Sequence, residues 1–369
     1  MGFYDVYKQW EQKDVDGLLK SVTSDDVLRT LAKTRLHEQD YLTLLAPAAQ
    51  EHLEAMAQRA HDQTVAQFGK TVVLYTPMYL SNYCVNHCLY CGFNARNNIS
   101  RKHLDAGEVE EEARRISETG LKHILILTGE SRTWASMDYL KTCVAILSRY
   151  FTSIAIEIYP LETQEYRELI TAGVDAMTLY QETYNEALYD RLHVKGPKKN
   201  YRFRLDAPER ACEARMRSVN IGALLGLYKG RHESFYTGLH AWYLQKHYPE
   251  VDISVSFPRM RPHTGSFNPD YPVDDVNLVQ AITALRLFMP RAGITMSTRE
   301  NAEFRNQILP LGVTRMSAGS TTVVGGHTQK NQDTGQFDIS DERTVDQMAL
   351  SLSSLGYQPV FKDWQAIKA

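Results

Sequence analysis

The sequence has little of what would direct a protein to a membrane, to secretion or to nucleic acid. Its 41 Lys and Arg residues nearly balance its 44 Asp and Glu residues, which gives a net charge of −3. Proteins that bind phosphate backbones carry a large basic excess, so nucleic acid is excluded as the main partner. The N-terminus shows no basic segment followed by an apolar one, and no run approaches the ~18 apolar residues of a membrane span. We therefore expect a cytoplasmic protein without a membrane segment.

Cysteine is also scarce. The chain of 369 residues has five cysteines, and three of them fall within eight residues. So few cysteines in so long a chain exclude a disulfide framework. Hydrophobic residues make up 43% and charged residues 23%, which is typical of a globular protein and excludes wholesale disorder. The cysteines are therefore expected to have a local role in a reducing compartment.

Two hydrophobic patterns divide the chain. Over residues 1–70, apolar residues recur at three- and four-residue steps, which predicts a helical N-terminal extension that covers a larger domain. From residue 71, short apolar runs alternate with amphipathic stretches, which predicts repeated β-α units. The strand candidates are residues 71–80, 123–129, 154–159, 175–181, 220–227, 252–257, 293–298 and 313–319.

Eight strands alternating with helices over roughly 250 residues predict an α/β fold, a (β/α)₈ TIM-type barrel. A doubly wound open sheet is the alternative, but no G-x-G-x-x-G follows the first strand. We assign the barrel to residues 71–330 and a short C-terminal segment, a helix and a tail packing on the barrel, to residues 331–369. Chemistry in such barrels lies at the C-terminal ends of the strands, so functional motifs should follow strands.

One motif follows the first strand directly. Three cysteines stand there in a C-x₃-C-x₂-C spacing: Cys84, Cys88 and Cys91. Three thiolates on a short loop can hold one face of a metal cluster, whereas four would close a structural zinc site or complete a cubane. The other two cysteines, Cys143 and Cys212, fall within apolar helical periodicity and are expected in the core. A zinc site that adds His87 to the three cysteines is the alternative.

The cysteine loop resembles the signature of radical S-adenosylmethionine (SAM) enzymes, with Tyr90 as the aromatic residue before the last cysteine. The resemblance implies that the three cysteines hold a [4Fe–4S] cluster. Its open iron would bind the amine and carboxylate of SAM, and one electron would cleave SAM to methionine and a 5′-deoxyadenosyl radical. No residue is assigned as a catalytic acid or base.

Four further segments are expected to bind this cofactor. Gly129 and Glu130 follow the second strand and resemble the segment that lies beside the methionyl amine of SAM, although a strand-ending glycine with a surface Glu is an equal alternative. Glu182 ends the fourth strand, where a carboxylate could accept from both ribose hydroxyls. Arg204 opens an R-L-D segment that resembles biotin-synthase-like relatives, in which the Arg meets the SAM carboxylate. Leu225 of the fifth strand is placed beside the adenine.

The last two strands carry the candidates for substrate binding. Arg299 follows the seventh strand and Ser317 lies in the eighth. A guanidinium and a hydroxyl at the barrel mouth suit a substrate α-carboxylate. A buried Arg without a partner is costly, so either an anion binds there or Glu300 or Glu303 pairs with Arg299.

The whole pattern resembles the aromatic amino acid lyases, and among them the 2-iminoacetate synthases (tyrosine lyases) of thiamine biosynthesis. The resembling segments are NYCVNHCLYCGFN, LILTGE, YQETYN, RLDAPERA, SFPRMRP, STRE, SAGS and QFDISDERT. The resemblance implies cleavage of the Cα–Cβ bond of L-tyrosine to 2-iminoacetate (dehydroglycine) and p-cresol, with 5′-deoxyadenosine and methionine, for the thiazole moiety of thiamine. It also implies two partners, a thiazole synthase and a reductant protein such as flavodoxin or ferredoxin.

Three alternatives stay open at this point. Tryptophan lyases share the barrel and its motifs. The tyrosine lyase that matures [FeFe]-hydrogenase is disfavoured, because it carries further C-terminal cysteines and none follows Cys212 here. A non-catalytic iron–sulfur carrier would not need Glu182, Arg204 and Arg299 at successive strand ends. One departure from the relatives is Arg215, where they often have a glycine, and it leaves the end of that helix uncertain.

Overall fold

The computed structural model describes residues 2–329 and 335–365. Within them, nine parallel strands form one sheet in the order β2-β3-β4-β5-β6-β7-β8-β1-β9, and β1 also pairs with β2. The strands are β1 (Thr71–Ser81), β2 (His123–Thr128), β3 (Ser153–Glu157), β4 (Ala176–Glu182), β5 (Ser218–Ala223), β6 (Asp252–Ser256), β7 (Gly293–Met296), β8 (Arg315–Ser317) and β9 (Gln358–Val360). Because β1 pairs with both β2 and β8, the first eight strands close into a barrel.

Helices surround this barrel, and α1 to α5 precede it in the chain. The α-helices of the described chain are α1 (Phe3–Glu11), α2 (Val15–Ser21), α3 (Ser24–Leu31), α4 (Glu38–Leu45), α5 (Leu53–Phe68), α6 (Ala106–Ser117), α7 (Met137–Leu147), α8 (Thr163–Ala172), α9 (Glu186–Leu192), α10 (Tyr201–Leu205), α11 (Ala207–Glu213), α12 (Gly230–His247), α13 (Asp275–Phe288), α14 (Ala302–Ile308) and α15 (Val345–Ser354). None of them is both long and apolar enough to cross a membrane.

The predicted fold class is confirmed. Each of the eight strand candidates overlaps an observed strand, and closure between β1 and β8 shows that the doubly wound alternative was wrong. Strand β9 was not predicted, since it has only three residues, one of them a proline. It pairs with residues 71–73 at the start of β1. The predicted boundary between residues 330 and 331 lies outside the described residues.

Helix α6 shows how the sequence specifies the crossover helices. The Asp105 carboxylate caps its N-terminus by accepting from the Glu108 N–H, and the Glu108 carboxylate accepts in turn from the Asp105 N–H. Val109, Ala113 and Ile116 recur at helical spacing and are buried against the barrel. Capping and one apolar face together define where the helix starts and how it packs.

The N-terminal helices pack on the outside of the barrel against α12 and α13. The Phe3 ring stacks on His240 with centroids 3.9 Å apart. The Tyr41 hydroxyl donates to the Ser234 carbonyl at 2.8 Å, and a Cβ on Gly238 would lie 2.3 Å from the Tyr41 ring. Gln280 of α13 donates to the carbonyls at the end of α4. These contacts make the helical segment a continuous part of the hydrophobic core.

Arg215 lies at the position where a glycine was expected. Helix α11 ends in a Schellman arrangement, in which the Met216 N–H donates to the Ala211 carbonyl and the Arg215 N–H donates to the Cys212 carbonyl. This arrangement places Arg215 in the left-handed region, with φ of 67°. The helix therefore ends as it would with glycine, at the steric cost of an L side chain in that region.

The barrel interior is only partly filled, and polar and apolar side chains both line it. Most TIM barrels fill this space with branched apolar side chains. Here the alternate, inward-facing positions of successive strands include Tyr75, Thr178, Asn220, Ser254 and Thr295. A cavity lined by these residues extends to the C-terminal ends of the strands, where Arg299 and Ser317 also line it.

Candidate active site

The loop after β1 crosses the C-terminal end of the barrel and is held there by backbone bonds. Gly129 N–H donates to the Ser81 carbonyl at 2.8 Å, and Val85 N–H donates to the Glu130 carbonyl at 2.9 Å. A Cβ on Gly129 would lie 2.3 Å from the Tyr83 carbonyl oxygen. The predicted residues Gly129 and Glu130 thus support the cysteine loop directly, and only glycine allows so close an approach.

The three predicted cysteine ligands line one cavity at this end of the barrel. The cavity is also lined by Gly129, Glu130, Glu182 and Arg204, so it brings together seven of the residues predicted from the sequence. Burial raises the pKa of the Cys88 and Cys91 thiols above the usual range. A ligated metal would replace the thiol protons and supply the positive charge that the thiolates need. As predicted, the other two cysteines, Cys143 and Cys212, are buried in the core.

The donor set suits a multi-iron cluster better than a single zinc ion. Among the described residues, no three His, Cys, Asp or Glu side chains converge on one metal position. His87 does not line the cavity, and its backbone pairs instead with Lys195 and Val194. Thr128 does line it, and its hydroxyl is buried without a partner in the described chain, which leaves a polar group for a bound ligand. Three thiols spread around one cavity, next to free polar groups, fit a [4Fe–4S] cluster with a bound co-substrate.

Glu182 is held in a strained conformation at the end of β4. Its φ of 72° lies in the left-handed region, and the pairing with β5 is irregular at this point. Its carboxylate accepts from Lys198 Nζ at 2.7 Å and from Arg204 Nη2 at 3.3 Å, and all three side chains are largely buried. Such strain persists only where the surroundings enforce it, and it concentrates at functional sites. Two cations against one carboxylate leave a positive charge that favours an anionic group of a ligand.

Asn86 and Lys198 are among the residues of this cavity that the sequence analysis missed. Asn86 donates to Glu130 Oε2 at 2.6 Å and accepts from the Lys198 N–H at 3.0 Å, so it ties the cysteine loop to both neighbours. Lys198 lies in a basic run with Lys199 and Arg202, and nothing in that run marks it as buried. The only signal for Asn86 is its position within the cysteine motif.

Tyr90 and Leu225 lie behind the loop rather than on the cavity wall. Tyr90 donates to or accepts from His193 Nε2 at 2.7 Å and packs in a small cluster with Cys88 and Leu224. Leu225 belongs to the main core and does not line the cavity. Its neighbour Leu224 packs in the cluster with Cys88, and the placement of Leu225 beside the adenine stays a prediction.

Arg299 lies in the second cavity, inside the barrel mouth. Its guanidinium stacks on Phe337, 3.4 Å from the ring centroid, and its one hydrogen bond within residues 2–329 and 335–365 is a long one, 3.5 Å, to the Arg259 carbonyl. The alternative that Glu300 or Glu303 pairs with it was wrong. Glu300 binds the guanidinium groups of Arg259 and Arg261 instead, and Glu303 is exposed on α14. Burial lowers the pKa of Arg299, which marks a cation in need of a partner.

Ser317 lines the same cavity. Its Oγ accepts from the Thr298 N–H at 3.0 Å, and its carbonyl accepts from Arg305 Nη2 at 2.5 Å. Arg305 is itself buried and paired with Asp341. This ion pair anchors the end of β8 and so fixes where the Ser317 hydroxyl stands.

The two cavities adjoin. Tyr79, Leu127 and Glu157 line both of them. The Tyr79 hydroxyl donates to Gln336 Oε1 at 2.8 Å, and Gln336 Nε2 lies 3.8 Å from the Cys91 sulfur. These three side chains would therefore lie between a ligand bound beside the cysteine loop and the interior of the barrel.

Comparison with known proteins agrees with this geometry. Residues 78–235 match the radical SAM superfamily, and residues 256–358 match the biotin and thiamin synthesis associated domain. The chain is 40% identical over 365 residues to the 2-iminoacetate synthases of Salmonella typhimurium and Escherichia coli, covering 99% of this chain and 97% of each relative. The chain belongs to the 2-iminoacetate synthase family.

Membership of the 2-iminoacetate synthase family makes the protein a radical SAM lyase and contradicts the non-catalytic carrier. It implies a [4Fe–4S] cluster and SAM, which the three thiols and the charged groups around them fit. The fold is also that of the [FeFe]-hydrogenase maturase HydG, with a TM-score of 0.90 and 29% identity over 96% of this chain and 80% of that one.

Proposed function

We propose that this enzyme cleaves the Cα–Cβ bond of L-tyrosine to 2-iminoacetate and p-cresol, with 5′-deoxyadenosine and methionine as co-products. The observation that carries the proposal is the adjoining pair of cavities. One holds three cysteines and a cationic group, and the other holds the Arg299 guanidinium, which has no ionic partner in the described part of the chain. Family membership supports the lyase chemistry, and the product named in the relatives is the imine that tyrosine cleavage yields.

In the first cavity, Cys84, Cys88 and Cys91 would hold the cluster. The cluster and SAM, when bound, supply one electron and a 5′-deoxyadenosyl radical that removes a hydrogen atom from the substrate. Glu182 is placed to accept from the ribose hydroxyls of SAM, and Arg204 to meet its carboxylate. Gly129 lines the same cavity next to the cysteine loop, so its backbone would lie beside the methionyl group.

In the second cavity, the tyrosine carboxylate would bind Arg299, with Ser317 as a further hydrogen-bonding group. The side chain would then extend into the barrel towards the polar layer of Thr178, Asn220 and Ser254, which can meet a phenol hydroxyl. Loss of a hydrogen from the substrate amine would weaken the Cα–Cβ bond, because the departing 4-hydroxybenzyl radical is delocalised. A second electron and a proton would convert that radical to p-cresol.

The residues over the barrel mouth would keep water away from these radicals. Gln336 packs against the cysteine loop so closely that a Cβ on Gly92 would lie 2.4 Å from its carbonyl oxygen. Phe337 covers one face of Arg299. Exclusion of water protects a reactive radical and strengthens the ionic contacts inside the site.

The test is anaerobic turnover of the reconstituted protein with dithionite, SAM and either tyrosine or tryptophan. The proposal predicts 5′-deoxyadenosine and p-cresol with tyrosine, and neither an indole product nor stimulated deoxyadenosine formation with tryptophan. If neither amino acid yields deoxyadenosine, radical SAM chemistry is contradicted. Deoxyadenosine without p-cresol, or an indole product from tryptophan, would contradict only the choice of substrate.

We also propose that the imine is passed to a thiazole synthase for the thiazole moiety of thiamine, and that flavodoxin or ferredoxin supplies the electron. The match to the biotin and thiamin synthesis associated domain supports the role in thiamine synthesis. The electron carrier is proposed because the cluster needs a one-electron donor. Free 2-iminoacetate hydrolyses readily in water, so direct transfer to the next enzyme would preserve it. Co-purification of the two enzymes and turnover with each reduced carrier in place of dithionite would test them.

A further inference from the structure

Glu157 is a carboxylate that the roles assigned above do not use. It ends β3, where it lines both the cysteine-loop cavity and the barrel cavity. No hydrogen bond or ion pair to its carboxylate is formed within the described chain. Burial raises its pKa to about 7, and the nearby Arg299 opposes that rise. A carboxylate left without a partner in a partly enclosed cavity is costly, so its position calls for a ligand.

Arg299 is a cation that has no ionic partner among the described residues, and it lines the same barrel cavity as Glu157. Both side chains face the barrel interior, and each acts on the pKa of the other. Their charged atoms nevertheless do not come within ion-pair distance, although opposite charges attract strongly in a site of low polarity. The gap between them therefore separates one cation from one anion. A ligand with a carboxylate and an ammonium on neighbouring atoms would satisfy both.

An α-amino acid zwitterion is such a ligand. We infer that Glu157 binds the α-ammonium of the substrate while Arg299 binds its α-carboxylate, so that the pair selects amino acids over their deaminated or decarboxylated analogues. This inference rests on the proposed function, and it adds to it the residue that recognises the amino group. A net charge-assisted contact of this kind discriminates by roughly tenfold or more.

The position of Glu157 also determines which way the substrate faces. Glu157 lies on the wall shared with the cysteine-loop cavity, whereas Asn220 and Ser254 lie deeper in the barrel. An amino group held by Glu157 would face the side on which the radical forms, and the aromatic side chain would point away from it. Hydrogen abstraction would then occur at the amino group rather than at the aromatic ring.

The test measures ligand binding without turnover. Reconstituted protein with SAM and no reductant is equilibrated with tyrosine, with 3-(4-hydroxyphenyl)propanoate, which lacks the amine, and with tyramine, which lacks the carboxylate. Glu157→Gln should weaken tyrosine at least about tenfold and change the propanoate by less than about twofold. Arg299→Gln should weaken tyrosine and the propanoate but not tyramine. Glu111→Gln, an exposed carboxylate of α6, is the matched control and should change nothing.

A second variant separates charge from folding. Glu157→Asp keeps the carboxylate and should retain a preference for tyrosine over the propanoate. The inference is overturned if Glu157→Gln binds tyrosine as tightly as the unchanged protein, if it weakens all three ligands equally, or if Glu157→Asp loses the preference. Should the unchanged protein bind tryptophan and not tyrosine, the proposed substrate fails. The binding test would then be repeated with tryptophan, indole-3-propanoate and tryptamine. If Glu157→Gln weakens tryptophan but not indole-3-propanoate, the role of Glu157 is supported. If it does not, that role is overturned.

Discussion

Replacing Gly129 by alanine would test how the barrel positions the cluster ligands. The new Cβ would lie 2.3 Å from the Tyr83 carbonyl oxygen and 3.1 Å from Cys84 Cβ. Ordinary contacts begin near 3.4 Å, so the loop must move by about 1 Å or the end of β2 must shift. The end of β2 is restrained, because the Gly129 N–H donates to the Ser81 carbonyl at 2.8 Å. The cysteine loop is therefore the part expected to move.

Overpacking of this kind costs about 1–3 kcal/mol of stability. Its effect on the cluster should be larger than its effect on the fold, since metal ligands tolerate displacements of only about 0.5 Å. We expect Gly129→Ala to fold, with a modest fall in thermal stability, and to retain less than about half of the iron after reconstitution. Iron and sulfide content, visible absorption and thermal unfolding of the metal-free protein measure these effects.

Gly107→Ala is the matched control for this change. Gly107 lies in the first turn of α6, where a Cβ would meet only the flexible Asp105 carboxylate at 3.3 Å. Alanine there should keep full iron content and slightly stabilise the protein, because it favours the helix. If Gly129→Ala bound as much iron as Gly107→Ala, the contact between β2 and the loop would not be what places Cys84, and this reasoning would be wrong.

Three further predictions follow from individual residues. Cys88→Ala should abolish the visible absorption of the cluster while Cys143→Ala leaves it intact, and loss of absorption in both would overturn the ligand assignment. Arg215→Gly should raise the free energy of unfolding by about 1 kcal/mol in denaturant titrations, since glycine adopts the φ of 67° without steric cost; a lower value would contradict the strain argument. Burial raises the pKa of Glu233 to about 7. Between about pH 4.5 and pH 7 the folded state therefore keeps a proton that the unfolded state has released, so the free energy of unfolding should fall as the pH rises through this range. Glu233→Gln should remove about 3 kcal/mol of this pH-dependent change in the free energy of unfolding. The same pH dependence in the variant as in the unchanged protein would exclude Glu233 as its source.

The barrel and the cysteine loop could be predicted from the sequence, and for a definite reason. Parallel strands buried on both sides are continuous apolar runs, and the amphipathic segments between them leave few other architectures. The cysteine spacing is local, so the three cysteines lie close together in the sequence as well as around one cavity. Placing that loop at the C-terminal end of β1 follows from the barrel alone.

The cavity walls could not be predicted in the same way. Glu157 ends a strand that reads as any buried strand with one polar position, and nothing local shows that its carboxylate lacks a partner. Lys198 stands in a basic run that resembles a solvated surface, yet it is buried against Glu182 because the loop after α9 folds inward. Both depend on contacts between segments far apart in the sequence.

Leu225 does not line the cysteine-loop cavity, and the early end of the fifth strand explains its position. The predicted fifth strand continues to residue 227, and its apolar residues are expected beside the adenine. Strand β5 ends at residue 223, and Gly226, with φ of 117°, turns the chain. Side-chain alternation stops where the strand stops, and Leu224 rather than Leu225 then packs beside Cys88. Strand ends are where functional residues gather, and an error of a few residues there changes which side chain faces the site.

The most direct test of the central claim is a single-turnover measurement of p-cresol against 5′-deoxyadenosine, with tyrosine as the only amino acid present. Binding of tyrosine between Glu157 and Arg299, with its amino group towards the cysteine-loop cavity, predicts that the two products form in equal amounts. Deoxyadenosine formed without p-cresol would contradict the account, because the radical would then be generated beside a barrel that does not hold tyrosine for cleavage.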